Sequence, residues 1–270
     1  MSKNLALRLA VAAVGIPALI IICYLGGYFL LAFTVLLAGL GGLELARMFL
    51  QRGYRTNLFF SVLLPIAFVV AAFYAYPIVN ILVLSFFLLV IFTVIDYSLV
   101  SNLDLEHFFG ELCARFLPVF YLGLLASFII KLGLMPDVGG WLLVYAFLIV
   151  WAADTAAYCG GIAIGKHKLS PVISPQKTWE GFYFGFLGAI LAASVAKILF
   201  LDIGWFKIII MAVVACFLGQ IGDLFESAIK RHCRVKDSSE LLPGHGGVLD
   251  RFDSFLFAAP TVYFIAIYWL

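Results

Sequence analysis

Long apolar runs separated by short polar segments dominate the chain. No charged residue lies between residues 8 and 44, and none lies between residues 55 and 96. A helix crosses the hydrocarbon core of a bilayer with about 20 apolar residues, and it satisfies its own backbone hydrogen bonds there. Each run is therefore long enough for two membrane-spanning helices, with turns at Gly26-Gly27 and Tyr76-Pro77.

Five later apolar runs follow, at about residues 116–132, 140–163, 180–200, 206–231 and 252–270. The segment 104–115 mixes acidic and basic residues with Leu and Phe, a pattern typical of a helix that lies at the membrane interface. The first run lacks a small-residue cleavage site and a second span follows directly, so we expect a retained helix rather than a signal peptide.

These runs predict an all-α, polytopic membrane helical bundle with about nine transmembrane helices. Residues 1–135 are expected to form about five spans and the interfacial helix. Residues 136–270 are expected to form a catalytic transmembrane region with two polar loops, at 164–180 and 232–251.

The composition supports a membrane protein. Hydrophobic residues make up 65% of the 270 residues and charged residues only 12%, whereas soluble domains are about half apolar and a quarter charged. Disorder is excluded because disordered segments have low hydrophobicity and high net charge. The net charge of +2 gives no indication of a nucleic-acid partner. The five cysteines are scattered along the chain and indicate neither a disulfide framework nor a thiolate zinc site.

The distribution of basic residues predicts the orientation. With nine spans and the N-terminus inside, only Lys131, Lys197 and Lys207 of the 17 Lys and Arg residues fall on the outer side. Because Lys and Arg concentrate in cytoplasmic loops, we expect a cytoplasmic N-terminus. Both polar loops then face the cytoplasm.

Acidic residues lie within the predicted spans. Asp154 and Asp223 are each about 22–26 Å from the outer face at 1.5 Å per residue, so they could share one cavity. Intramembrane carboxylates are costly and usually mark a functional site. Glu44 lies at a similar depth, but Arg47 three residues away leaves a helix-packing role open.

Carboxylates also flank the second polar loop. Asp223 begins a stripe at helical spacing that ends at Lys230, and Asp250 and Asp253 are three residues apart. Carboxylates from different helices, completed by water, suit Mg²⁺. The alternative is a string of solvated loop charges, although a loop needing only solubility would not require the His245-Gly246-Gly247 turn.

Both polar loops have features of phosphate binding. Basic residues beside glycines and carboxylates in 232–251 suggest a polyphosphate held by cations and backbone N–H groups. Residues 174–181 open a helix with a Ser, a Thr and Lys177, and helix N-termini bind anions. Structural capping is the alternative there. A P-loop is not indicated because His167 stands where Ser or Thr is needed, and no esterase or zinc-protease motif occurs.

The run from Ser227 to Asp253, S-x-I-K-R-x4-K-D-x-S-x2-L-P-x-H-G-G-V-x-D-R-F-D, resembles the signature of phosphatidate cytidylyltransferases, also called CDP-diacylglycerol synthases. Residues 154–158, 165–169 and 174–181 are similar to a second region of that family. The resemblance covers about residues 150–253. Ile162 departs from it, since family members often carry Lys or Arg there.

The resemblance implies a Mg²⁺-dependent transfer of CMP from CTP to phosphatidic acid in phospholipid biosynthesis, at the cytoplasmic face of the inner membrane. Mg²⁺ is the implied cofactor, and a second cation and a homodimer are left open. Implied catalytic residues are Asp223, Asp250, Lys230 and Arg251, and implied metal ligands are Asp223, Asp250 and Asp253. Implied substrate-binding residues are Asp154, Ser174, Lys177, Glu180, Arg231, Lys236, Asp237, His245, Gly246 and Gly247.

Two other functions remain open at this point. A CTP-dependent polyprenol or other lipid kinase would also need a metal and a nucleotide site at the membrane. An ion-coupled transporter would also place acids in mid-membrane, but transporters tend to show inverted repeats. Here the polar residues concentrate in the C-terminal half.

Overall fold

The computed structural model describes residues 3–99, 105–241 and 246–269, with side chains from residue 13 onward except that of Glu106. Helices dominate it, so the predicted all-α class is confirmed. The helices are α1 (Lys3–Leu25), α2 (Gly27–Gln51), α3 (Leu58–Phe73), α4 (Ile78–Leu99), α5 (Phe108–Leu117), α6 (Leu125–Gly133), α7 (Gly139–Ile164), α8 (Trp179–Leu199), α9 (Trp205–His232) and α10 (Leu249–Trp269).

Seven helical stretches in the described residues are long and apolar enough to cross a membrane. They include Phe108–Gly133, in which α5 and α6 are joined by a π-helical segment, Pro118–Leu124. The other two predicted spans correspond to shorter apolar helices, Ala13–Leu25 and Leu58–Phe73. The chain is thus a multi-pass membrane protein, and its first two helices separate at Gly26 and Gly27, which have φ angles of 59° and 49°.

The predicted separate interfacial helix is not a separate element in the described residues. α5 continues into the span that was expected to begin at residue 116. Its charged residues Glu111 and Arg115 are buried, and Arg115 pairs with Asp96 of α4. The interfacial location of this segment stays a prediction.

The backbone contacts divide the chain into two compact units. Unit 1 consists of residues 1–27, 131–232 and 252–270, and unit 2 of residues 28–130 and 233–251. The sequence-based division at residue 135 therefore differs from the division by contacts. α10 begins in unit 2 and continues in unit 1.

Small residues bring the helices of unit 1 together. α7 packs against α8 and α9, and α1 packs against α7. A Cβ atom added at Gly188 of α8 would lie 2.4 Å from the carbonyl oxygen of Ala152 in α7. Glycine at this position permits the close approach of two membrane helices.

A small β-hairpin lies between α7 and α8, where the sequence predicted only a loop. Its strands are β1 (Lys168–Ser170) and β2 (Ser174–Thr178), and they pair antiparallel. The hairpin delivers β2 directly to the first turn of α8. This placement brings the residues of β2 to the wall of a cavity that residues of α7, α8 and α9 also line.

Candidate active site

Unit 1 contains a cavity of about 550 Å³. Its walls come from α7, the hairpin, the first turns of α8, and α9. The lining includes charged, polar and apolar residues, a composition that suits an amphipathic ligand. The lining residues are Asp154, Ala157, Tyr158, Gly161, Ile162, Leu169, Ser174, Gln176, Lys177, Thr178, Gly181, Phe182, Gln220 and Asp223.

An ion pair joins two walls of the cavity. Lys177 Nζ of β2 lies 2.5 Å from Asp223 Oδ2 of α9, and the two side chains are 29% and 30% exposed. Asp154 of α7 lines the same cavity. Asp154 and Asp223, whose depth in the sequence suggested a shared cavity, thus line one cavity together with Lys177 and Ser174.

Close packing at the start of α8 positions this wall. Thr178 is the N-cap residue, and its hydroxyl oxygen accepts a hydrogen bond from Gly181 N at 3.1 Å. A Cβ atom at Gly181 would lie 2.7 Å from the carbonyl oxygen of Ala157, so α8 starts directly against α7. Thr178 therefore has the capping role that was the alternative for this segment. The side chain of Lys177, the preceding residue, instead pairs with Asp223.

Four carboxylates of unit 1 come from three helices: Asp154 from α7, Asp223 and Glu226 from α9, and Asp253 from α10. Asp253 lies close enough to Asp223, Glu226 and Asp154 for their charges to act on it. Glu226 is fully buried and pairs with Lys230 at 2.5 Å. Lys177 pairs with Asp223 in the same way, so each of these two α9 carboxylates has an ammonium partner.

The carboxylates fit a cation that takes part of its coordination from elsewhere. Within the described ranges, no three His, Cys, Asp or Glu side chains are gathered closely enough to hold a metal. Mg²⁺ sites commonly use one or two carboxylates together with waters and substrate phosphates. Asp223 and Asp253, with Asp154 nearby, meet that description.

Asp250 lies in unit 2 and is held by its own loop. Its Oδ2 atom accepts hydrogen bonds from Ser238 N at 2.9 Å, Ser238 Oγ at 2.9 Å and Gly247 N at 2.8 Å. Of the metal set expected from the sequence, Asp223 and Asp253 thus belong to unit 1 and Asp250 to unit 2. The proposed part of Asp250 in metal binding stays a prediction.

The remaining candidate residues have varied surroundings. Glu180 accepts hydrogen bonds from His167 N and contacts His167 Nδ1 at 2.6 Å, and Arg231 Nε donates to Ile173 O at 3.3 Å. His245 lies outside the described residues. Lys236, Asp237 and Arg251 are exposed, Gly246 has a φ of 82°, and Gly247 is buried.

Sequence reasoning missed two contributors. Gln220 lines the cavity, and its spacing of three residues from Asp223 on α9 was a signal that could have identified it. Ser238 contacts both Glu44 and Asp250. Nothing in the local sequence indicates that contact, because Glu44 and Ser238 are 194 residues apart.

Comparisons with known proteins identify relatives of this chain. A model described as the cytidylyltransferase family matches residues 6–269. The phosphatidate cytidylyltransferase of Staphylococcus epidermidis is 53% identical over 123 residues, which are 44% of this chain and 46% of that protein. The enzyme of the same name from Bacillus subtilis is 41% identical over 158 residues, 58% and 59% of the two chains. That from Staphylococcus aureus is 41% identical over 192 residues, 70% and 71% of the two chains. The chain spans about half the length of the first of these curated relatives and more of the others.

Proposed function

This chain belongs to the cytidylyltransferase family, and on that premise we propose that it transfers CMP from CTP to phosphatidic acid. The products are CDP-diacylglycerol and pyrophosphate. The observation that carries the proposal is the cavity of unit 1, whose lining includes the Lys177–Asp223 ion pair, Asp154 and several apolar residues. Charged groups suit a phosphate, and apolar residues suit the adjoining acyl chains.

The proposed reaction is an in-line displacement at phosphorus. A phosphate oxygen of phosphatidic acid forms a bond to the α-phosphorus of CTP, and the bond from that phosphorus to the oxygen bridging the β-phosphate breaks. Because the nucleophile is already anionic, no strong general base is needed. Catalysis then depends on positioning and on neutralising phosphate charge.

Lys177 is our candidate for the phosphatidate phosphate, with Ser174 beside it on β2. The exposed side chains of Arg231, Lys236 and Arg251 are candidates for the CTP phosphates and the departing pyrophosphate. Lys230 is a weaker candidate for direct contact, because it is buried and pairs with Glu226. Its position suits a role in holding the acidic group of α9.

We further propose that the enzyme depends on Mg²⁺, which Asp223 and Asp253 would hold with Asp154 nearby. The presence of Asp154 and Asp223 in the lining of one cavity supports this assignment. When bound, Mg²⁺ would supply positive charge that neutralises the phosphate oxygens during the displacement at the α-phosphorus. The side chains of Lys177 and Asp223 would orient the reactants on the two sides of the cavity.

We place the enzyme in the inner membrane with its cavity open to the cytoplasm, where CTP is found. The asymmetric distribution of Lys and Arg supports this orientation. Acyl chains would then reach the cavity from within the bilayer.

The test uses purified protein in mixed micelles of phosphatidic acid with CTP labelled at either the α- or the γ-phosphate. We expect α-label in CDP-diacylglycerol and γ-label in pyrophosphate. A γ-labelled lipid together with released CDP would instead identify a lipid kinase and would overturn the proposal.

A further inference from the structure

Glu44 of α2 makes contacts that the proposed reaction does not explain. The side chain is buried, with 4% of its surface exposed. Its Oε1 atom accepts hydrogen bonds from Ser239 Oγ at 2.6 Å and Val248 N at 2.9 Å. Its Oε2 atom accepts from Ser238 Oγ at 3.1 Å and Leu249 N at 2.9 Å. Both oxygens of one buried carboxylate are therefore occupied by a single polar loop.

The four donors come from two described stretches, residues 238–241 and 246–249, which together we name the clamped loop. Ser238 and Ser239 lie at its start, while Val248 and Leu249 lie at its end, where α10 begins. The first N–H groups of a helix have no partner within the helix, and a negative charge beside them is favourable. Glu44 thus caps α10 and at the same time ties the start of the loop to that cap.

The space around the carboxylate is filled. A Cβ atom added at Gly247 would lie 2.0 Å from Ser238 Oγ and 2.7 Å from each carboxylate oxygen of Glu44. Only glycine fits at this point of the loop. The path of the backbone past Glu44 is therefore fixed by sterics as well as by hydrogen bonds.

Ser238 connects Glu44 to Asp250. Its hydroxyl lies 3.1 Å from Glu44 Oε2 and 2.9 Å from Asp250 Oδ2, and its backbone N–H donates to Asp250. A hydroxyl carries one proton, so it donates to one of the two carboxylates at a time. A change at Glu44 should therefore be felt at Asp250 through a single intervening residue.

We propose that Glu44 is a positioning residue, which holds the clamped loop and Asp250 in the conformation needed to bind CTP. It is not itself a catalytic residue, because its oxygens are fully engaged by the loop. The part of this inference that concerns CTP rests on the proposed function, whereas the part that concerns loop order does not.

The first readout is backbone hydrogen exchange of residues 246–250 in the substrate-free protein. Removing an acceptor from a buried hydrogen-bonded network should speed exchange there by about tenfold to a hundredfold. Glu44→Gln keeps the size of the side chain but replaces one acceptor oxygen by a donor. Glu111→Gln is the matched control, since Glu111 is equally buried in unit 2 and pairs with Arg115. The control should leave exchange of the loop unchanged.

The second readout is steady-state kinetics. We expect Glu44→Gln to raise KM for CTP by about tenfold or more, with a smaller effect on KM for phosphatidic acid. Ser239→Ala should act in the same direction and should add little to Glu44→Gln, because both remove the same contact. It also serves as the test variant if Glu44→Gln does not fold.

A lowered melting temperature with unchanged loop exchange and unchanged KM for CTP would overturn the inference, since Glu44 would then be a packing residue only. If the wild-type protein made no CDP-diacylglycerol, the proposed function would fail. The exchange experiment would still decide whether Glu44 orders the loop.

Discussion

The ion pair between Lys177 and Asp223 links single residues to the proposed function. Each side chain is about 30% exposed, and pairs that retain contact with solvent add little to folding stability. A stabilising role is thus a poor explanation for placing both charges in a cavity within a membrane protein. Binding of a charged substrate is a better explanation for the placement of both charges.

Lys177→Ala should reduce CMP transfer by about a hundredfold to a thousandfold, the usual cost of removing a group that stabilises charge in the transition state. The melting temperature should change little. The control is Lys168→Ala, which removes an exposed Lys from β1 of the same hairpin. A large loss of stability with normal kinetics in Lys177→Ala would contradict the proposed role.

Asp250→Asn should abolish turnover while leaving the protein folded. Asparagine retains one acceptor oxygen but loses the negative charge that three donors of the loop now share. The matched control is Asp202→Asn, because the hydrogen bond from Lys197 holds the pKa of Asp202 below its usual value and this exposed residue is therefore also charged at neutral pH. Retained activity in purified Asp250→Asn would remove Asp250 from the reaction.

Single residues also show what the sequence could predict about the site. Helical spacing was enough to place Asp154 and Asp223 at one depth, because the rise per residue is constant. The contacts of Glu44 with Ser238 and Ser239 were not predictable. They join segments almost 200 residues apart, and no local pattern encodes that pairing.

At the scale of elements, helix boundaries followed from hydropathy because lipid demands long apolar helices. The contacts of the charged residues in α5 were not predictable in this way. Glu111 and Arg115 are both buried, and the guanidinium of Arg115 lies 4.9 Å from the ring of Phe92. Tertiary pairing of charges cannot be read from hydropathy.

Close helix packing in unit 1 gives a prediction at this scale. Gly188→Ala places a methyl group 2.4 Å from the carbonyl oxygen of Ala152 and must force α7 and α8 apart. We expect a loss of about 1–3 kcal/mol, as for other overpacked sites, measured by unfolding in detergent. Gly204→Ala is the control, because a Cβ atom there meets nothing within 4 Å. Equal stability of the two variants would show that this contact is not tight.

At the scale of the whole molecule, the proposed orientation in the membrane rests on the distribution of Lys and Arg alone. The hairpin between α7 and α8 should face the cytoplasm, and the connection between α8 and α9 should face outward. The native Cys233 is a poor reporter of sidedness, because burial raises the pKa of its thiol to about 11. Exposed positions in each connection are better probes.

In a cysteine-free background, Asp202→Cys should react with an impermeant thiol reagent applied to intact cells. Val172→Cys, at a residue that is 86% exposed in the hairpin turn, should react only after the cells are permeabilised. Each variant is the control for the other. The reverse pattern would mean that the active-site cavity opens away from the cytoplasm.

The division into two units was not predictable from hydropathy, since each unit is assembled from segments that are distant in sequence. The signature-like run from Ser227 to Asp253 is itself divided between the units. Residues 227–232 and 252–253 of this run belong to unit 1, whereas residues 233–251 belong to unit 2. Residues of one continuous motif therefore pack in two different units.

The most direct test of the proposed reaction compares wild-type protein with Asp223→Asn in phosphatidate micelles, using α-phosphate-labelled CTP with and without Mg²⁺. We predict Mg²⁺-dependent label in CDP-diacylglycerol for the wild type, and a loss of about a hundredfold or more for a folded Asp223→Asn variant. Label transfer by Asp223→Asn at the wild-type rate would contradict the assignment of the reaction to this cavity.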